Sequence, residues 1–255
     1  MGLIVDLNCD MGESFGLYQL GNDEAMMRYV TSVNVACGFH AGDPHVMRKT
    51  VGLANKYGVS IGAHPGFPDL LGFGRRRMEL SPGEIKDYIV YQLGALREFA
   101  SIVGQGINHC KPHGQLYMMA MTDEIVARAI IEAIKEMDPQ MVVFCLENSV
   151  LSLLGKQMGI TVANEGYADC EHTATGSIIP IRTHAKSGDM KARAKRIVRM
   201  VKENKVITDS GEDLNINVQT ICIHGDTEGA PRLLEEIHKE LNENGISTAP
   251  VKSFI

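Results

Sequence analysis

Aspartates and histidines recur in this sequence directly after short apolar runs. The residues with this placement are Asp10, His40, His64, His113 and Asp226. A carboxylate and histidines can hold a divalent metal that activates water. Without metal they can act as general acid and base, because histidine titrates near neutrality. One such histidine is usually structural, but four of the nine histidines, counting His224, share this placement. The pattern therefore predicts one shared reactive site, whose use of metal stays open.

Other polar residues accompany this set. Lys111 and the arginines at 75–77 could hold a phosphate or a carboxylate. Glycines flank the arginines, which fits either a solvated loop or a mobile loop that folds over an anion. Asp43 stands apart, because Pro44 follows it and the pair is typical of a helix start. Asp226 could equally cap the last helix.

The elements that must position these residues alternate along the chain. Strands are predicted at 3–9, 32–37, 59–63, 107–111, 141–146, 161–164 and 220–224, and helices at 43–57, 81–103, 122–137, 149–158, 189–203 and 227–244. This order predicts a single α/β unit over 1–255, a (β/α) barrel of about seven parallel strands, with a doubly wound open sheet as the alternative. Parallel strands bring the polar segments to one face. Residues 166–188 lack periodicity and are predicted to cross the barrel mouth.

The composition limits the classes of partner and of compartment. The net charge of -6 disfavours nonspecific binding to nucleic acid or to anionic membranes. No apolar run approaches the ~20 residues needed to span a membrane. The six cysteines include no Cys-x-x-Cys pair, which is typical of reduced thiols in a cytoplasmic protein.

Several long segments resemble the LamB/YcsF family. They are residues 5–13, 34–43, 62–69, 72–76, 111–117 and 224–226. The resemblance implies a (β/α) barrel similar to the glycoside hydrolase/deacetylase superfamily. It also implies use of a small-molecule lactam, namely ATP-driven opening of 5-oxoproline to glutamate with partner subunits B and C. ATP would be a cosubstrate, accompanied by Mg²⁺.

The implied reaction assigns a role to each polar residue. Phosphorylation of the lactam oxygen makes the ring carbon attackable, after which water needs a base and the departing nitrogen needs a proton. We expect Asp10 and His64 to be base and acid, His40 and His113 to orient the substrate, and Lys111 to stabilise negative charge. Asp226 joins this catalytic set. The expected substrate-binding residues are Asn8, Glu13, Arg75, Arg76, Glu165 and His224.

One segment departs from the family pattern. Where the family has arginine and tyrosine after an Ala-Asp pair, this chain has Cys170 and His172, and Arg182 lies one position away from the later family arginine. A cation that could pair with an anionic substrate is therefore missing from its usual place. Two alternative functions stay open: a stand-alone metal-dependent amidohydrolase or deacetylase, and a non-enzymatic lactam- or carbohydrate-binding subunit.

Overall fold

Seven parallel strands close into a barrel in the computed structural model, which describes residues 2–179, 189–225 and 229–255. The strands in chain order are β1 (Leu3–Met11), β2 (Ser32–Ala36), β3 (Ser60–His64), β4 (His109–Cys110), β5 (Val142–Cys145), β6 (Val162–Tyr167), β7 (Glu171–His172), β8 (Ile178–Ile179), β9 (Lys205–Ile207), β10 (Asp213–Asn215), β11 (Thr220–Cys222) and β12 (Ile246–Thr248). Strands β1 to β6 pair in sequence order, and β11 pairs with both β6 and β1. The predicted barrel is confirmed, and closure of β11 onto β1 excludes the open sheet.

Helices follow most of the barrel strands. They are α1 (Asp23–Met27), α2 (Pro44–Tyr57), α3 (Pro82–Ile102), α4 (Gly114–Ala120), α5 (Glu124–Met137), α6 (Val150–Gln157), α7 (Met190–Glu203) and α8 (Ala230–Glu243). The predicted starts are confirmed at α2, where Asp43 accepts from the main-chain nitrogens of His45 and Val46, and at α3, where Ser81 and Glu84 form a capping box. Among the described residues, no helix combines the length and apolar character needed to cross a membrane.

The interior of the barrel is polar along one face of its first strand. Side chains of a strand alternate in direction, so Asp6, Asn8 and Asp10 lie inside while Leu7 and Cys9 pack in the apolar layer under the helices. Asp6 accepts hydrogen bonds from three hydroxyl groups, those of Thr31, Ser32 and Thr220. Burial nevertheless raises the pKa of Asp6 to about 6.

In the described part of the chain, two hairpins lie outside the barrel. Strands β7 and β8 pair antiparallel within the segment predicted to cross the barrel mouth, and β9 pairs antiparallel with β10 after α7. Residues 180–188, which include Arg182, are outside the described residues. Strand β12 pairs with the first residues of β1 and extends the sheet beside β11. The hairpin β9–β10 and strand β12 were not predicted from the sequence.

Candidate functional site

Lys111 lies at the centre of a buried ionic network at the carboxyl ends of the barrel strands. Its ammonium group is 3.1 Å from Asp10 Oδ1, 3.0 Å from Glu165 Oε1 and 2.9 Å from Cys222 Sγ. Burial opposes the charge on Lys111, but the carboxylate of Asp10 and the groups around it raise its pKa well above the usual range. Lys111 is therefore a fixed positive charge inside the barrel.

The two carboxylates beside Lys111 are held by further hydrogen bonds. Glu165 accepts from the hydroxyls of Tyr117 at 3.1 Å and Tyr167 at 2.6 Å, and from the amide of Asn8 at 3.1 Å. Asp10 Oδ1 accepts from the amide of Asn34 at 2.8 Å. Burial would raise the pKa of Asp10, but the nearby charges on His64 and Lys111 hold it well below the usual range. Asp10 is thus an ionised carboxylate whose Oδ1 is hydrogen-bonded to Asn34 and Lys111 and whose Oδ2 faces imidazole rings.

Three histidines pack together beside Asp10. The ring of His40 stacks on that of His113 with centroids 3.6 Å apart, and His64 meets both rings edge-on. His64 Nε2 is 3.3 Å from Asp10 Oδ2 and 2.9 Å from His113 Nδ1. Glu13 Oε1 lies 3.4 Å from His40 Nε2 and 3.7 Å from His113 Nδ1. We call Glu13, His40, His64 and His113 the histidine cluster.

Burial dominates the electrostatics of the histidine cluster. It lowers the pKa values of His40 and His113 well below the usual range, and the neighbouring imidazoles add to the effect. Burial also raises the pKa of Glu13 to about 7, with the charge on Asp10 acting in the same direction. Without a bound cation, the rings of His40 and His113 are therefore held in the neutral form.

A second imidazole, that of His224, faces the same oxygen of Asp10 as His64 does. His224 Nε2 is 3.7 Å from Asp10 Oδ2, while its Nδ1 is 3.1 Å from both oxygens of Asp169. Burial opposes protonation of His224, but the carboxylate of Asp169 outweighs it and raises the pKa of His224 well above its ordinary value. The His224 side chain keeps 26% of its surface exposed, whereas that of His64 keeps 1%. His224 is therefore a charged imidazolium that can be reached from the barrel mouth.

The loop after β3 is hydrogen-bonded to the histidine cluster. The carbonyl of Phe73 accepts from His113 Nε2 at 2.8 Å, and the carbonyl of Gly74 accepts from the main-chain nitrogen of Gln115. Phe73 and Gly74 both have positive φ, 54° and 63°. A Cβ on Gly74 would lie 2.8 Å from side-chain atoms of both His40 and His113, so only glycine fits there.

The two arginines predicted to bind substrate have different surroundings. Arg76 pairs with Asp69 within the loop, its Nε 2.9 Å from Asp69 Oδ1. The guanidinium of Arg75 instead lies over the Phe73 ring at 5.0 Å from the centroid. Its charge favours the ionised form of Glu13. Arg75 therefore lies next to the site, whereas Arg76 holds the shape of the loop.

Most of the residues predicted for the site come together. Nine of them form one contiguous cluster: Asn8, Asp10, Glu13, His40, His64, Lys111, His113, Glu165 and His224. Asp226 lies outside the described residues. Sequence reasoning missed Asn34, Asp169 and Cys222, which touch this cluster directly. Asn34 and Cys222 lie within apolar strands, and only the two-residue alternation of a strand could have indicated that they face inward.

Another arginine contacts Cys170 and His172, the two residues that stand where the family has arginine and tyrosine. Arg196, on α7, donates to the carbonyl of Cys170 at 2.8 Å, and its other terminal nitrogen is 2.8 Å from His172 Nδ1. Cys170 and His172 are both buried. Arg196 thus brings a guanidinium to the two residues that replace the family arginine and tyrosine.

Comparisons with known proteins identify the family of this chain. The family model described as LamB/YcsF family matches residues 5–255. A Pyrococcus horikoshii protein named as the A subunit of 5-oxoprolinase is 47% identical over 252 residues, which cover 98% of this chain and 99% of that protein. A crystal structure of a lactam utilization protein from Thermus thermophilus has a TM-score of 0.90 at 38% identity, covering 97% of this chain and 99% of that one.

More distant structures share only the architecture. The Bc1960 peptidoglycan N-acetylglucosamine deacetylase has a TM-score of 0.51 at 12% identity, over 99% of this chain and 87% of that one. The likeness of the barrel to deacetylase folds, predicted from the sequence, is confirmed. At this identity the likeness extends to the fold alone.

Proposed function

The chain belongs to the LamB/YcsF family, and from that membership we propose that it acts as the A subunit of a 5-oxoprolinase. In this role it handles the lactam ring of 5-oxoproline, which is opened to L-glutamate. The observation that carries the proposal is similarity at 47% identity over 98% of the chain to a protein of that name. The ionic network around Lys111 supports it, because opening an amide requires charges placed in advance.

The energetics of the lactam explain why the proposal includes ATP with Mg²⁺ and partner subunits B and C. A five-membered lactam is a stable amide and a poor electrophile, whereas its O-phosphorylated form carries a leaving group at the ring carbon. Among the described residues, the cations Lys111 and Arg76 already pair with carboxylates. We therefore assign phosphoryl transfer to the partner subunits, and attack by water to this chain.

Asp10 is the proposed base for the attacking water. Its Oδ1 is held by Lys111 and Asn34, whereas its Oδ2 faces the imidazoles of His64 and His224. A carboxylate fixed through one oxygen can accept a proton from water at the other without losing its orientation. Lys111 then balances the negative charge around the phosphorylated oxygen. Departure of the nitrogen leaves an acyl phosphate, and its hydrolysis by a second water releases phosphate and the carboxylate of glutamate.

His224 is a better proposal than His64 for the acid that protonates the departing nitrogen. Both nitrogens of His64 face groups of this chain, the carbonyl of Lys111 and the ring of His113. His224 is more exposed, and Asp169 keeps it protonated near neutral pH. An imidazolium beside a carboxylate, reachable by substrate, can donate its proton as the ring opens.

Arg75 is the proposed partner for the substrate carboxylate. Its exposed guanidinium lies over Phe73, one residue before the glycine that touches His40 and His113. Guanidinium groups bind carboxylates through paired hydrogen bonds. Glu165 and Asn8 contribute by holding Lys111 and each other in the barrel interior.

We also propose that the protein works in the cytoplasm. All six cysteines are free thiols buried in the fold, including Cys222 within the site. Such unpaired thiols suit a reducing compartment.

Turnover by the isolated chain tests the division of labour. Incubated alone with 5-oxoproline, ATP and Mg²⁺, this chain should form negligible glutamate, because the activating step belongs to the partners. Rapid glutamate formation without partners would overturn the proposal. If that turnover also needed no ATP, a stand-alone metal-dependent amidohydrolase would take its place.

A further inference from the structure

The hydrogen bonds of His64 and His113 fix which nitrogen of each ring carries the proton. His64 Nδ1 is 2.7 Å from the carbonyl oxygen of Lys111, and His113 Nε2 is 2.8 Å from that of Phe73. A carbonyl oxygen only accepts, so each of these nitrogens must donate. In a neutral imidazole the other nitrogen then has a bare lone pair.

The two bare nitrogens face each other. His64 Nε2 and His113 Nδ1 are 2.9 Å apart, so when both rings are neutral two acceptors lie at hydrogen-bonding distance with no proton between them. Such an arrangement is repulsive unless a cation lies close by, either a shared proton or a metal ion. A proton shared by these two nitrogens would leave the buried polar atoms beside them without partners.

Two further groups of the cluster lack the partners that burial demands. Neither ring nitrogen of His40 has a hydrogen-bond partner among the described residues, although the ring is fully buried. Glu13 Oε1 is also buried and without a hydrogen bond within the same described part of the chain. Buried polar atoms left without partners cost roughly 1–3 kcal/mol each. His40 Nε2 and Glu13 Oε1 are 3.4 Å apart and belong to the same group of close ligand atoms as the two facing nitrogens.

We propose that Glu13, His40, His64 and His113 form a binding site for one divalent transition-metal ion. The four ligand atoms lie within 4.8 Å of one another. One dication would satisfy the three imidazole lone pairs and balance the carboxylate charge. This site goes beyond the proposed function, which assigns these residues no ion.

The spacing fits a small ion with tetrahedral geometry. Ligand atoms about 2.0–2.1 Å from a tetrahedral zinc lie roughly 3.3 Å apart. The separations here are 2.9 Å for His64–His113, 3.4 Å for His40–Glu13 and 3.7 Å for His113–Glu13. The carbonyls of Lys111 and Phe73 orient two of the imidazoles, as outer partners of metal-binding histidines commonly do.

The donor set distinguishes this ion from the Mg²⁺ that accompanies ATP. Three imidazole nitrogens and one carboxylate suit zinc, iron or nickel, whereas Mg²⁺ prefers oxygen ligands and keeps its waters. A second group of possible ligands, Asp10, Cys222 and His224, lies nearby. In that group Cys222 already contacts the ammonium of Lys111 at 2.9 Å, which disfavours a cation there.

Zinc binding to the tag-free, chelator-stripped chain tests the proposal without any activity measurement. Titration calorimetry should give close to one Zn²⁺ per chain, and a chelator should lower the Tm of the loaded protein. Glu13→Gln and His113→Ala should each weaken binding at least about 100-fold, because each removes a direct ligand. Mg²⁺ should not compete at equal concentration.

Two matched variants separate this site from its neighbours. His224→Asn changes the adjacent imidazole, and His45→Gln changes a histidine near the start of α2; both should bind zinc as the parent chain does. The proposal fails if the parent chain binds no zinc stoichiometrically, or if Glu13→Gln and His113→Ala bind it unchanged. If His224→Asn loses zinc binding while Glu13→Gln and His113→Ala keep it, the ion binds instead to the group formed by Asp10, Cys222 and His224. Because Glu13 is at the edge of the cluster, with 12% of its side chain exposed, Glu13→Gln should fold even if His113→Ala does not.

Discussion

At the scale of residues, Asp10 joins the two halves of the site. One carboxylate oxygen contacts Lys111 and Asn34, and the other faces His64 and His224. Asp10→Asn keeps the shape of the side chain but removes the proton acceptor. We expect the complex reconstituted with this variant to lose at least about 10²-fold in kcat, the low end for loss of a general base.

A second aspartate provides the control for Asp10→Asn. Asp43 caps α2, and asparagine caps a helix about as well as aspartate. Asp43→Asn should therefore keep near-normal turnover, with a small decrease in Tm from the lost contact between its Oδ2 and the main-chain nitrogen of Gly16. Normal turnover by folded Asp10→Asn would make Asp10 structural. An equally severe loss in Asp43→Asn would show that the division between cap and catalyst is wrong.

The His224–Asp169 pair predicts a pH dependence. Asp169 raises the pKa of His224, so His224 stays protonated up to a pH well above its ordinary value. A general acid acts only while protonated, so activity should fall as pH rises through that raised pKa. Asp169→Asn removes the carboxylate and lowers the pKa, and the alkaline limb of the kcat profile should move to lower pH. If the alkaline limb of the kcat profile is the same in Asp169→Asn as in the parent chain, His224 is not the general acid.

At the scale of elements, the loop after β3 gives the clearest prediction. Gly74→Ala introduces a methyl group 2.8 Å from both His40 and His113, at a φ of 63°. The loop must then move, and the hydrogen bond from His113 to the Phe73 carbonyl should break. We expect a lower Tm by calorimetric or optical melting, and weaker zinc binding.

A glycine elsewhere in the chain serves as the comparison for Gly74. Gly94 lies inside α3, and a Cβ there meets no atom of the described residues within 4 Å. Gly94→Ala should be neutral or stabilising by up to about 1 kcal/mol, because alanine favours helix. If Gly74→Ala melts like the parent chain and binds zinc equally well, the loop does not support the histidine cluster.

The elements that the sequence predicted well are those with strong local patterns. The barrel strands are apolar runs, and α2 and α3 begin with aspartate–proline and serine–proline signals. Strand β4 is shorter than predicted, two residues rather than five, although the main-chain nitrogens of Asn108 and Lys111 still bond to β3. The short helices α1 and α4 were missed because five and seven residues are too few to show a helical period.

The candidate site was only partly predictable for a different reason. Strand ends can be read from sequence, so Asp10, His64 and Lys111 were placed on the correct face of the barrel. The direction of side chains inside a buried parallel strand is harder to predict, because both faces are covered and apolar residues occupy both. Only the two-residue alternation distinguishes the two faces. Asn34 and Cys222 were missed for this reason. The approach of Arg196 to Cys170 depends on packing between distant segments.

At the scale of the whole molecule, we expect exposed apolar side chains in the loops after β1 and β3 to bind the partner subunits. Leu17 and Tyr18, after β1, expose 98% and 81% of their surface, and Leu71, after β3, exposes 94%. Exposed apolar side chains that lie together are typical of interaction surfaces. Leu17→Asp combined with Leu71→Asp should prevent co-elution with the partner subunits on size-exclusion chromatography, while the Tm of the isolated chain stays unchanged.

A leucine on a helix provides the matched control for this surface. Leu153 lies on α6 and exposes 55% of its surface, so Leu153→Asp introduces the same charge away from the loops after β1 and β3. It should leave complex formation intact. Equal loss of assembly with Leu153→Asp would indicate a general effect of charge, and unaffected assembly of the double variant would place the partners elsewhere.

The most direct test of the proposed function is coupled measurement of ADP and glutamate with purified components. With 5-oxoproline, ATP, Mg²⁺ and all three subunits, the two products should form in equal amounts, and omission of this chain should abolish glutamate formation. Glutamate formation that continues at the full rate without this chain would contradict its assignment as the lactam-handling subunit.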